Sequence, residues 1–105
     1  VGGSLAAIET LKAFNLGTLA ANERLYQLVF SAKTVTKSII LELYRQSGVD
    51  VSMLYGNIEV LGDEPVGTLF VIVTGDDNQQ AGALQFLKEN QVEVTQIDDR
   101  GIWND

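Results

Sequence analysis

Residues 48–75, GVDVSMLYGNIEVLGDEPVGTLFVIVTG, decide how this chain folds. Apolar residues alternate at Val49, Val51, Met53 and Tyr55 and resume on the opposite parity at Ile58 and Val60, the period of a strand with one side buried. Side chains alternate strictly along a strand, so the change of parity turns one set toward water unless an extra residue is accommodated. The Gly56-Asn57 step is the expected place for that β-bulge. A bulge re-aims side chains and often lies beside a site, although many bulges only add twist at a sheet edge. Gly62-Asp63-Glu64-Pro65 supplies a reversal, with Pro65 where no ladder N–H is needed, and Val66 to Thr74 returns as the second arm. The stretch predicts one long β-hairpin.

Upstream of it, Arg24 to Ser31 reads as a strand with Tyr26, Leu28 and Phe30 on one side and Leu25 and Val29 on the other. Thr34 or Thr36 caps a helix whose stripe is Val35, Ile39, Ile40, Leu43 and Tyr44, with Lys37, Glu42 and Arg45 toward water and Gly48 as its left-handed stop. Downstream, Gly75-Asp76-Asp77-Asn78 caps a second helix, Asn78 to Glu89, with Ala81, Leu84 and Leu87 inward. Val92 to Ile97 alternates as an edge strand, Val92 and Val94 inward and Glu93 and Thr95 outward. Ser4 caps a short helix carrying Leu5, Ile8 and Leu11, which Asn15 to Gly17 ends. The expected organisation is an N-terminal linker and helix over 1–22, a domain over 23–98 and a tail over 99–105.

The order β-α-β-β-α-β, closed by right-handed crossovers, predicts an α+β ferredoxin-like plait: a four-stranded antiparallel sheet with two helices on one face, plus the N-terminal helical segment. Both presumed central strands are apolar on both sides, so the helix-free face needs a cover. The candidates are the N-terminal helix, a second copy of the chain, or another domain. Self-association is the expectation, because symmetric dimers are the commonest soluble assemblies.

With 105 residues the chain is one domain, and its net charge of −7 with scattered Lys and Arg speaks against nucleic acid. Without Cys or His there is no thiolate, imidazole base or usual zinc site. No apolar run approaches membrane-spanning length and the start lacks the regions of a signal peptide, which predicts a cytosolic location. Asp76-Asp77 and Asp98-Asp99 are paired carboxylates, but acids at a helix start and in a tail need only a dipole and solvent. Gly2-Gly3-Ser4 and Gly17-Thr18 match no phosphate loop, and Ser31-Ala32-Lys33 offers no anion cradle of acylphosphatase type. Tyr26, Phe30, Phe70 and Phe86 lack the basic interleaving of an RNA platform. No catalytic residue and no metal site are expected. Ser52-Met53-Leu54-Tyr55-Gly56-Asn57 offers a hydroxyl, a thioether, an amide and strand-edge groups beside a bulge. That set suits a small-ligand pocket, a strand-adding partner or a plain edge strand.

From Leu28 to Ile97, and most closely in the hairpin and in ALQFLKENQVEV, the chain resembles the NIL domain, the small ferredoxin-like module of the ATP-binding subunit of bacterial methionine ABC importers. The GNIE step, the Pro-x-Gly-Thr exit at Pro65 to Thr68 and both helices stay in register with that family. The resemblance implies a regulatory, non-catalytic domain that pairs as a homodimer, binds L-methionine at the dimer interface and so restrains transport. It implies ligand contacts on Ser52, Met53, Leu54, Tyr55, Gly56 and Asn57. The family's Asn-Ile-Leu triplet falls on Ser52, Met53 and Leu54: Leu54 matches, Met53 keeps apolar bulk, and Ser52 reaches less far than an amide. It further implies a membrane permease partner, a cytoplasmic place at the inner face of the cell membrane, and ATP and Mg for the parent subunit only, with no cofactor in this domain. Ser4 to Asn22 corresponds to the connector from the ATPase domain. Related domains are also fused to iron-sulfur ferredoxins, and this segment holds no cluster ligand. The alternative is a structural dimerisation module without ligand binding.

Overall fold

In the computed structural model, which describes residues 19–31 and 39–97, β2 (Asp50–Leu61) and β3 (Glu64–Thr74) form the long hairpin. Its turn is tighter than the four-residue step read from the sequence. Gly62 and Asp63 alone make it, Leu61 pairs with Glu64, and Pro65 already lies in β3 opposite Val60. Gly62 has φ +65°, the left-handed conformation a two-residue hairpin turn needs at its first position. β1 (Glu23–Ser31) pairs antiparallel with β3 from Glu23 opposite Thr74 to Ser31 opposite Val66. β4 (Glu93–Ile97) pairs with the other side of β1, so the sheet order is β2-β3-β1-β4. With α1 (Ile39–Ser47) and α2 (Asp77–Glu89) on one side, this is the ferredoxin-like plait the element order predicts, with β1 and β3 central.

Cross-strand partners share a face, and the register therefore sorts the core. On the helix side Tyr26, Leu28, Val49, Val71 and Val73 pack with Leu43 of α1, Ala83 and Leu87 of α2, and Val92. On the other side Leu25, Phe70 and Ile72 are 0%, 2% and 7% exposed, with Leu19, Leu54, Tyr55 and Ile97 packed around them. The centre of that second face is thus buried within a single chain, not left bare. The helix expected from Ser4, the caps at Thr34 and Thr36, Val35, Lys37 and the tail 99–105 lie outside the described residues.

Both helices bury slightly different stripes from those expected. In α1 Leu43 is fully buried and Ile39 and Ile40 half-buried, while Tyr44 is exposed. Gly48 ends that helix as anticipated, with φ +76° and its N–H donating to the Tyr44 carbonyl at 2.8 Å. In α2 the inward residues are Gln80, Ala83 and Leu87, while Ala81 and Leu84 are exposed. A glutamine takes the inward place because every polar atom of its amide finds a partner, so its burial leaves nothing unsatisfied. Asp76 caps α2: its Oδ1 accepts the Gln79 N–H at 2.7 Å and Gln79 Oε1 accepts the Asp76 N–H at 2.9 Å.

Gly67, in the Pro-x-Gly-Thr exit, lies under the Phe30 ring, and a Cβ built on it would stand 2.6 Å from the ring's Cε2 and Cζ. Gly67→Ala is therefore expected to force the ring out of place and cost about 1–3 kcal/mol. A lowered urea midpoint at unchanged slope is the check, and an unchanged midpoint would contradict the packing.

Candidate functional site

β2 is an edge strand twelve residues long, so alternate backbone N–H and C=O groups along it point away from β3. Its bulge falls between Met53 and Tyr55, with Leu54 as the extra residue, and not at Gly56-Asn57. Parity requires one additional residue somewhere between the two apolar sets and is silent on where. The place is set by contacts across the sheet. Tyr55 stands opposite Phe70 with their rings edge to face, centroids 6.2 Å apart at 63°. Gly56 instead answers a close approach, because a Cβ there would stand 2.9 Å from Leu69 Cδ2.

The consequence of the bulge is a division of the six predicted residues. Met53, opposite Val71, and Gly56, opposite Leu69, face the helix side together with Val49, Val51, Ile58 and Val60. Met53 is 58% exposed there. Ser52, Tyr55 and Asn57 stand opposite Ile72, Phe70 and Thr68 on the second face, and Leu54 packs against the Leu25, Phe70 and Ile72 cluster on that same face. Ser52 is exposed, while Leu54, Tyr55 and Asn57 are half-buried.

Sequence reading missed two further residues of this row. Asp50 and Glu59, opposite Thr74 and Val66, share the second face and flank Ser52 and Asn57, each two positions away, or about 7 Å along a strand. The parity of Ser52 and Asn57 held the signal, once the extra residue is placed at Leu54. The row then carries carboxylates at its ends, a hydroxyl and an amide inside them, and an apolar floor of Leu54 and Tyr55. Carboxylates attract an ammonium, neutral donors suit a carboxylate, and the floor suits an apolar chain. Those are the three parts of an apolar α-amino acid.

The other acidic pairs do different work. Asp76 caps α2, Asp77 meets Arg24 at 3.1 Å, and Asp98-Asp99 lies outside the described residues. Among the described residues no cluster of three or more Asp, Glu, His or Cys could hold a metal ion, and no helix is long and apolar enough to cross a membrane. An open depression of about 400 Å³ lined by Val29, Ser31, Glu64, Val66 and Glu93 among others shares none of the predicted residues.

The NIL domain family model matches residues 24–96. The chain is 66% identical over all 105 residues to the methionine import ATP-binding protein MetN of Ligilactobacillus salivarius, covering 30% of that protein. It is 60% identical over 101 residues, 96% of the chain, to the protein of the same name from Lactobacillus delbrueckii subsp. bulgaricus, covering 28% of it. The chain thus spans about 30% of the length of these curated relatives. Among solved structures, the C-terminal domain of an ABC transporter ATP-binding protein from Enterococcus faecalis superposes with a TM-score of 0.65 at 24% identity, covering 87% of this chain and 94% of that one, and has the same fold. Since the family model runs from the start of β1 nearly to the end of β4, the chain belongs to the NIL domain family, as a regulatory domain and not an ATPase catalytic region.

Proposed function

We propose that this chain is the sensing domain of a methionine importer's ATP-binding subunit, and that it binds L-methionine on the second-face row of β2. The observation that carries the reading is the Leu54 bulge, which sets Ser52, Leu54, Tyr55 and Asn57 on one face between Asp50 and Glu59. In this arrangement the ligand's ammonium pairs with Asp50 or Glu59, its carboxylate takes hydrogen bonds from Ser52 or Asn57, and its thioether chain lies on Leu54 and Tyr55. Met53 and Gly56 shape the strand from behind. Two copies pair, and ligand bound where they meet favours the state in which the ATPase domains are held apart. The names of the relatives support the importer and, through it, a permease partner and a place at the inner face of the membrane. ATP and Mg act in the ATPase region of such a subunit.

Titration calorimetry of the folded chain with millimolar L-methionine is the test. Heat with one-site saturation is expected, and its absence would remove the sensing role and leave a pairing module. Ser52→Asn, which restores an amide reaching further than the hydroxyl, is expected to tighten binding by about fivefold, the worth of one added hydrogen bond.

A further inference from the structure

Among the described residues Gln80 is the one buried polar side chain, 1% exposed. Its Nε2 donates to the Val73 carbonyl at 2.8 Å and the Asn22 carbonyl at 3.2 Å, and its Oε1 accepts from the Tyr26 hydroxyl at 3.5 Å. The Asn22 carbonyl also accepts the Gly75 N–H at 3.0 Å. Both lone pairs of a carbonyl just before β1 are therefore taken by the junction of β3 with α2. The same lead-in is folded by the Glu23 N–H donating to the Ala20 carbonyl at 3.0 Å and the Ala20 N–H donating to Glu23 Oε1 at 2.8 Å. On the neighbouring residue, Gln79 Nε2 donates to the Gly48 carbonyl at 3.3 Å, two residues before β2 begins. Two successive glutamines thus reach in different directions, one to the lead-in of β1 and one to the start of the strand that bears the candidate site.

We infer that Gln80 is a positioning residue for regulation: its amide holds the Asn22 lead-in against the β3–α2 junction, so that a shift of the β2 row is passed to the chain preceding β1. The inference rests on the proposed sensing role. A buried amide is kept only where its hydrogen bonds compensate its loss of water, and here those bonds tie β1, its lead-in and β3 to one helix turn. Packed side chains and hydrogen-bond networks of this kind carry coupling between sites, and a slack lead-in would dissipate the shift.

Gln80→Met keeps the approximate volume and removes the amide. Amide hydrogen exchange of the full 105-residue chain is expected to show Glu23 and Gly75 exchanging about fivefold faster or more, with the β2–β3 ladder unchanged. In the assembled transporter carrying this domain, inhibition of ATP hydrolysis by L-methionine is expected to weaken by about fivefold or more. Methionine affinity of the same protein, by calorimetry, is expected to stay within about twofold. Unchanged exchange, unchanged inhibition, or equal losses of affinity and inhibition would each overturn the inference. If Gln80→Met does not fold, Tyr26→Phe, which removes only the hydroxyl that orients the amide, is read in the same way and is expected to move exchange and inhibition in the same direction. A wild-type chain that binds no methionine removes the sensing role instead, and exchange alone then decides whether Gln80 holds the lead-in.

Discussion

Replacing Phe70 by Ala is expected to destabilise the domain by about 3–5 kcal/mol and to lower its thermal midpoint by more than about 10 °C. Phe70 lies on the face without helices, yet it is 2% exposed and packs with Leu25, Ile72 and the edge of the Tyr55 ring. Because that burial is complete within one chain, the loss should be the same in dilute and in concentrated protein. A small loss in dilute solution that grows with concentration would instead assign Phe70 to a contact between copies. Met53→Ala serves as the contrast: an exposed side chain on the opposite face of the same sheet should change stability by no more than about 0.5 kcal/mol. If Phe70 behaves as expected, the proposed pairing of two copies has to use the rim of the second face and not its centre.

Deleting Leu54 is expected to leave the fold in place and abolish methionine binding. Met53 would then follow directly against Val71 and Tyr55 against Phe70, so every other cross-strand pair is retained while the strand loses its kink. The stability cost is the packing of one half-buried leucine, about 1–3 kcal/mol. Binding suffers more, because straightening β2 moves Ser52 relative to Tyr55 and Asn57 and takes the leucine out of the apolar floor. Calorimetry on the deletion variant and on Leu54→Ala separates the two effects. The substitution keeps the bulge and should weaken affinity by about tenfold, the worth of a partly buried side chain, whereas the deletion should give no measurable heat. Equal affinities in the two variants would show that the bulge does not shape the site.

The plait itself could be read from patterns that depend only on neighbours along the chain. Alternation over Arg24 to Ser31 and Val66 to Thr74 marks strands buried on both sides, Gly48 and Gly62 occupy left-handed turns no other residue takes so readily, and Asp76 caps a helix whatever that helix packs against. The parity change between Met53 and Ile58 likewise announced that β2 carries an extra residue. What local pattern cannot supply is a choice between placements of similar local energy. Gly56-Asn57 and Leu54 both satisfy parity, and the Tyr55 ring against Phe70, with Leu69 close over Gly56, selects Leu54. In α2, Ala81 and Leu84 make as good a local stripe as Gln80 and Ala83. A buried glutamine is made tolerable by the Val73 carbonyl together with the Asn22 carbonyl and the Tyr26 hydroxyl, the last two far away in sequence. Sequence alone therefore determined the element order, the central strands and the strand that bears the candidate site. The face on which each candidate residue stands, and the inclusion of Asp50 and Glu59 among them, was decided by tertiary contacts, because a single-residue offset costs little along the chain and a great deal across the sheet.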